Sequence, residues 1–245
     1  MRIDTVQLVV IGNEILSGKV ADANTPFLAQ ALRERGVLLT RIEVVPDALE
    51  PIVRAVRRAR DEADVVFTSG GVGPTHDDIT MAAVAQALGK PRVRHAGFAD
   101  TIARHYGART NAALLSMADL PEGAQLIEGG DLWVPVVLVD RVYVLPGIPE
   151  LFRRKFFAMA HLLHGKPIGL AKLYLDCDEG EIAALLASAE RTHAGVQIGS
   201  YPRIDAGAPH RVMVTIESTD AAVVAAVRAE VVAGLPPGAL VGSEP

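Results

Sequence analysis

Thr68-Ser69-Gly70-Gly71-Val72-Gly73-Pro74-Thr75-His76-Asp77-Asp78-Ile79-Thr80 is the stretch on which the fold turns. A short apolar run, Asp64–Thr68, leads into it and reads as a strand. An Ala-rich segment, Thr80–Leu88, leaves it as a helix stopped by Gly89. A glycine loop between a strand and a helix lies at the carboxyl edge of an open parallel sheet, the side on which such sheets bind ligands. Gly70, Gly71 and Gly73 let the backbone approach a ligand and turn its N–H groups toward it, so a phosphate or pyrophosphate is the expected guest. The spacing matches neither GxxxxGK[ST] nor GxGxxG. His76, Asp77 and Asp78 follow directly. Carboxylates beside an anion cradle call for a cation between them, with Asp77 or Asp78 giving oxygen ligands and His76 adding nitrogen. The alternative is local: Asp78 caps the helix and the glycines make a tight turn.

The same rhythm extends outward in both directions. Val6–Ile11 is an apolar run apart from Gln7, as in a strand buried on both faces. Gly12–Ala23 reads as loop. Asn24 is placed to cap a helix over 25–35, with Pro26 in its first turn and Gly36 just past its end. Val37–Val45 is a second strand and Glu50–Asp61 a second helix. Trp133–Val139 and Arg141–Leu145 are strands close enough to pair as a hairpin around Asp140-Arg141, and Glu150–Leu163 is a closing helix. Strands alternating with helices predict crossover units: an α/β fold, three layers with a mostly parallel sheet. Gly165–Gly169 reads as a linker. Beyond it the order changes to strand 171–176, helix 181–191, strands 196–199 and 211–217, and helix 221–232. This is a smaller α+β domain resembling a split β-α-β module, with Val241 as a remnant of its last strand. The expected domains are 1–165 and 166–245.

Composition narrows the function classes. The 245 residues are 50% hydrophobic and 22% charged, enough apolar content for a core. One Trp, four Tyr and six Phe leave that core to Ala, Val, Leu and Ile. A formal charge of −5 carries no nucleic-acid footprint, so no direct nucleic-acid contact is expected. Cys177 is the single cysteine, which excludes an intrachain disulfide and a cysteine zinc site. Its acidic neighbours Asp176 and Asp178 disfavour a thiolate. No apolar run is long enough to span a membrane, and the N-terminus is a poor signal peptide, so a cytoplasmic protein is expected.

Other rim residues are weighed against plainer readings. Asp47 follows Val45-Pro46 at a strand end and faces the same crevice if the sheet is parallel, yet Asp47 and Glu50 also have capping-box spacing. Asn13 and Glu14 leave the first strand at its carboxyl end. Pro146 and Gly147 belong to a rigid strand exit, Leu145–Glu150, that lines the site or simply turns into a helix. His161 and His164 sit i, i+3 on one helix without an acidic partner and read as a solvated helix end.

Four ordered segments carry a family resemblance: GNEILSGKVADANTPFLAQALRERG at 12–36, VVPD at 44–47, FTSGGVGPTHDDITMAAVAQALG at 67–89 and LPGIPELF at 145–152. Together they resemble the molybdopterin-binding MoaB/Mog-type domain. Within it they are most similar to the N-terminal domain of CinA, the competence/damage-inducible protein, and to the molybdopterin-binding-like domain of eukaryotic FAD synthase. Gly199-Ser200-Tyr201-Pro202 resembles the small domain that follows in CinA. The resemblance implies a pterin or nucleotide pyrophosphate at the glycine loop and functional roles for Asp78 and Asp47. It implies ligand contacts from Asn13, Glu14, Thr68, Ser69, Gly70, Gly71, Gly73, Thr75, Pro146 and Gly147, and a homo-oligomer. For the CinA and FAD synthase branches it implies metal-dependent hydrolysis of ADP-ribose or FAD, with cobalt, nickel, manganese or magnesium as the divalent metal held by Asp78, Asp77 and His76. The alternatives are a non-catalytic pterin or nucleotide carrier of molybdenum cofactor metabolism and a regulatory scaffold. Three departures are visible. Val72 stands where the molybdopterin enzymes have threonine. Glu128–Trp133 resembles the FAD synthase branch more than CinA. The chain ends at Pro245, before the amide-hydrolysing domain of CinA, and it has no counterpart of the adenylyl-transfer domain of FAD synthase, so neither of those activities is expected.

Overall fold

The order of strands around the first one decides where a ligand can sit. A computed structural model describes residues 2–205 and 208–244. The chain divides into two units, one up to Gly165 and one from Lys166. In the first, the elements run β1 (Thr5–Ile11), α1 (Asn13–Leu16), α2 (Asn24–Arg33), β2 (Leu38–Val45), α3 (Leu49–Glu62), β3 (Val65–Ser69), α4 (Thr80–Ala87) and β4 (Arg92–Arg94). They continue with α5 (Ala96–Tyr106), α6 (Ala112–Ser116), β5 (Asp119–Pro121), β6 (Gln125–Gly129), β7 (Leu132–Val139), β8 (Val142–Leu145) and α7 (Pro149–Met159).

The central sheet has the order β2-β1-β3-β8-β7-β6. β2, β1, β3 and β8 run parallel, and β7 and β6 each join antiparallel. The chain leaves β1 on one side, returns through α3 and enters β3 on the other. That reversal is a topological switch point, and the crevice between the carboxyl ends of β1 and β3 is the place it opens. β1 shows why both layers form. Val6, Leu8 and Val10 pack into one core with Leu28 and Leu32 of α2 and Phe152, Phe156 and Met159 of α7. Val9 and Ile11 pack into the other with Ile52 and Val56 of α3, Val84 of α4 and Ile102 of α5. A strand side chain alternates faces, so a strand with helices on both sides is apolar nearly throughout; the exception, Gln7, is buried with its Nε2 donating to Glu62 (3.0 Å).

The architecture is the three-layer α/β/α arrangement expected, and the β7–β8 hairpin turns at Asp140 and Arg141, both at positive φ. Three local expectations are corrected. The segment after Gly12 is not all loop, because Asn13–Leu16 forms a helical turn. Asn24 does not cap α2. Asp22 Oδ1 accepts from the Asn24 and Thr25 N–H groups (2.9 and 3.1 Å), which frees the Asn24 side chain for another use. α7 ends at Met159 and tightens into a 3₁₀ turn over Ala160–Leu162.

The second unit contains β9 (Gly169–Leu175), α8 (Glu179–Thr192), β10 (Val196–Pro202), β11 (Val212–Ser218), α9 (Ala221–Gly234) and β12 (Leu240–Glu244). Its antiparallel sheet has the order β10-β11-β9-β12 and one core with the two helices. The last strand is a full edge strand rather than a remnant. It is mostly exposed and irregular after Leu240, so it lacks the apolar run that marks buried strands. Cys177 is buried in this core, and burial followed by the Glu181 carboxylate pushes its thiol pKa up, which opposes thiolate chemistry.

At the switch point the backbones leave no room for a side chain. Gly70 has φ +110°, and a Cβ there would lie 2.1 Å from the Ile11 carbonyl oxygen. Its N–H donates to Leu145 O (3.1 Å), so the residue cannot shift toward β8 without losing a bond. Gly70→Ala should therefore destabilise the first unit by about 3 kcal/mol or more. Gly18, also at positive φ but facing open space, should cost only about 1–2 kcal/mol on the same change. Denaturant midpoints of the two variants check this, and equal losses would show that the close approach at Gly70 is not a constraint.

Candidate functional site

Beyond Gly70 the loop is fixed by its own polar groups. Thr80, fully buried at the start of α4, donates its N–H to Gly71 O (3.0 Å) and its hydroxyl to Gly70 O (2.8 Å). Asp78 Oδ2 accepts the Thr75 N–H (2.8 Å) and also the Thr75 hydroxyl. The residue preceding α4 is Ile79, with no side-chain bond, so Asp78 is not the helix cap. It closes the Thr75–Asp78 turn, and Gly73 makes room for it: a Cβ on Gly73 would meet the Asp78 carboxylate at 2.7 Å.

Asp47 also has a use other than capping. The N-cap of α3 is Ala48 and makes no side-chain bond. Asp47 Oδ2 instead accepts the Asn13 N–H at 2.7 Å. The parallel register that pairs Ile11 with Val45 brings these two strand exits together. Asp47 thereby fixes the turn of α1 that carries Glu14. Asn24, buried on α2, donates through Nδ2 to Ser69 Oγ (2.9 Å) and to Gly147 O (2.8 Å). One side chain thus ties the end of β3 to the loop before α7.

A cavity of about 670 Å³ opens at this edge of the sheet. Of the residues expected at the site, Glu14, Gly70, Gly71, Gly73, Asp78, Pro146 and Gly147 line it. Others stand behind it. Thr68 and Ser69 are buried within the sheet, because β3 is covered on both faces. Asn13 and Asp47 brace α1, and Thr75 braces Asp78. His76 and Asp77 point away, with side chains 99% and 62% exposed. Among the described residues no group of three or more His, Cys, Asp and Glu side chains is gathered to hold a metal ion. The donors the cavity does present are the carboxylates of Glu14 and Asp78. Such a set fits a hard, oxygen-seeking cation such as magnesium or manganese, which commonly takes one or two carboxylates and fills its shell with phosphate and water.

Other lining residues were not read from the sequence. Trp133 and Val134 of β7, Tyr106 of α5, Met117 and Lys155 of α7 also line the cavity. The Trp133 ring stacks on His105 (centroids 4.0 Å apart, 11° between planes) and meets the edge of Tyr106. Lys155 is only 4% exposed, and its Nζ donates to Pro135 O (2.7 Å). Burial without a compensating carboxylate lowers its pKa from 10.5 to about 8. A sequence signal existed: Phe152, Lys155, Phe156 and Met159 form an i, i+3, i+4, i+7 stripe, and a lysine stands at a core position of it.

The fold and site define a class: an α/β/α domain with a glycine-loop ligand cavity at its switch point. The chain belongs to the family described as the probable molybdopterin binding domain, whose match covers residues 7–173, and residues 167–244 match the middle domain of FAD synthase. A probable FAD synthase of Caenorhabditis elegans is 32% identical over 228 residues, taking in 82% of this chain and 44% of that protein. A CinA-like protein of Myxococcus xanthus is 33% identical over 155 residues, 60% of this chain and 37% of that one. The chain thus spans less than half the length of these two relatives. The crystal structure of a CinA protein of unknown function from Thermoplasma acidophilum superposes with a TM-score of 0.61 at 30% identity, covering 65% of this chain and 97% of that one. No helix among the described residues is long and apolar enough to cross a membrane.

The buried lysine has a measurable signature. Between pH 8 and 10.5 the unfolded chain holds the Lys155 proton and the folded chain does not, so raising the pH through this window favours the folded state. The stability of the wild type minus that of Lys155→Met should rise by roughly 3 kcal/mol across the window. Denaturation curves at several pH values check this, and parallel pH profiles for the two proteins would contradict a depressed lysine.

Proposed function

We propose that the cavity binds a nucleotide pyrophosphate, such as FAD or ADP-ribose, and hydrolyses it in a divalent-metal-dependent reaction. The observation that carries this reading is the placement of two carboxylates, Glu14 and Asp78, in the same cavity as an anion-seeking glycine loop. The N–H groups of Gly71, Val72 and Gly73 would hold phosphate oxygens and stabilise the charge that grows on them, while that of Gly70 is given to Leu145 O. A divalent cation, when bound by Asp78 and Glu14, would neutralise the charge between carboxylate and phosphate. Asp47 acts at a distance, by holding the Asn13 N–H and so the position of Glu14. Water adds to one phosphorus, the bond from that phosphorus to the bridging oxygen breaks, and its electron pair leaves on the second phosphate. FAD would give AMP and FMN; ADP-ribose would give AMP and ribose phosphate. Of the acidic triplet only Asp78 lines the cavity, so His76 and Asp77 have no part in this reading. Oxygen donors then favour magnesium or manganese over cobalt or nickel.

A second reading, a carrier of pterin or nucleotide without turnover, is supported by the family match, whose description names binding. Release of AMP separates the two. With magnesium or manganese the wild type should release AMP from FAD or ADP-ribose, and Asp78→Asn should lower turnover about 100-fold, equivalent to about 2.7 kcal/mol of transition-state stabilisation. Its melting temperature without metal should stay close to wild type, because asparagine retains an acceptor for Thr75. Saturable binding without AMP release under any of the four metals would favour the carrier. Unchanged turnover in Asp78→Asn with a clear fall in melting would reduce Asp78 to a loop brace.

A further inference from the structure

Lys155 takes no part in the hydrolysis described above. It stands on the buried face of α7 with Phe152, Phe156 and Met159, where an aliphatic residue would pack without a charge. We propose that Lys155 is the cation that receives an anionic group of the ligand, a phosphate or pyrophosphate, and that a proton enters the cavity with that group. The inference deepens the pyrophosphate reading and rests on it for the class of anion.

Three observations carry it. Lys155 is 4% exposed, and it lines the same cavity as Gly71, Val72 and Gly73. Loop N–H groups and a buried ammonium select the same sign of ligand. Its polar contacts are incomplete. Nζ donates to Pro135 O (2.7 Å), an ammonium has three N–H groups to place, and a carbonyl dipole does not neutralise a full charge. No carboxylate compensates it. α7 packs against α2, β6, β7, β8 and the 3₁₀ turn that follows it. The charged or titratable residues of these elements are Arg33, Glu128, Tyr143 and His161, with Glu150, Arg153 and Arg154 on α7 itself and Glu14 and Asp78 in the cavity lining. Glu150 pairs with Arg154, and among the described residues no carboxylate pairs with Lys155. Its titration, lowered to about 8, moves through burial and not through a neighbouring charge. A bound anion reverses that balance. It favours the charged form, so the amine takes up a proton as the ligand enters, and affinity falls when the pH rises above about 8.

Calorimetry with a methylene-bridged analogue of ADP-ribose, in the presence of magnesium, tests the proposal. The bridge prevents hydrolysis, and the charges of the analogue do not titrate near neutral pH, so any proton taken up goes to the protein. Near pH 8 binding should take up about half a proton, read from the dependence of the heat on the ionisation enthalpy of the buffer. Affinity should fall about ten-fold between about pH 7 and pH 9. Lys155→Met should bind at least about ten-fold more weakly at about pH 7, with that uptake lost and the affinity nearly level over the same range. Melting without ligand verifies that the variant is folded, and Lys155→Gln, which keeps a donor for Pro135 O, serves where the methionine variant is not. Sulfate is the second probe, an anion that neither titrates nor carries a nucleoside. Sulfate binding with Lys155-dependent proton uptake, and no binding of the analogue, would keep the anion site and remove the pyrophosphate reading. Analogue binding with that uptake, but no AMP release from ADP-ribose itself, would remove only the hydrolysis. Binding of the analogue to wild type without proton uptake overturns the proposal. So does affinity and uptake unchanged in both variants, or binding of neither probe.

Discussion

Between the carboxyl ends of β1 and β3 there is room for a backbone but not for a side chain. The Ile11 carbonyl occupies the space into which any Cβ on Gly70 would project, and the Gly70 N–H is committed to Leu145 O. Three strand exits are thereby held at contact distance, and everything at the site is hung from that junction. Thr80 locks the next two carbonyls of the loop, Asp78 closes its far turn, and Asn24 bridges from α2 to Ser69 and Gly147. The close approach has a chemical consequence. Backbone N–H groups that need not serve a helix or a sheet are left at the mouth of a cavity, where an anion can take them.

The carboxylates of Glu14 and Asp78 and the buried ammonium of Lys155 line one cavity. A buried ammonium costs solvation energy in the empty protein. In the proposed reading, the carboxylates would become favourable neighbours of a phosphate only with a cation between them. Local groups that oppose stability but agree with one ligand are the pattern expected of a binding site.

What was legible in the sequence had local causes. The apolar run of β1, broken only by Gln7, follows from helices on both faces, and the glycines of the loop follow from a backbone conformation that other residues resist. Asp47 shows where local reading fails. Its spacing to Glu50 is that of a capping box, yet the register of β1 on β2 offers it the Asn13 N–H, and the tertiary partner prevails. Asn24 likewise sits where a cap belongs, but Asp22 performs that task. Its real partners lie 45 and 123 residues away. Trp133 and Tyr106 reach the cavity from segments with no loop motif of their own. Lys155 alone left a trace, as a charge in an apolar helical stripe, and that trace has meaning only once the stripe is known to face a cavity.

In the proposed reading the glycine loop is where the phosphates of the ligand sit. Amide chemical shifts on nitrogen-15-labelled protein test this most directly, with inorganic pyrophosphate and magnesium as the titrant. Pyrophosphate should shift the amides of Gly71, Val72 and Gly73 saturably and more than those of the second unit. Pyrophosphate that leaves Gly71–Gly73 unmoved while shifting amides elsewhere in the chain would contradict it.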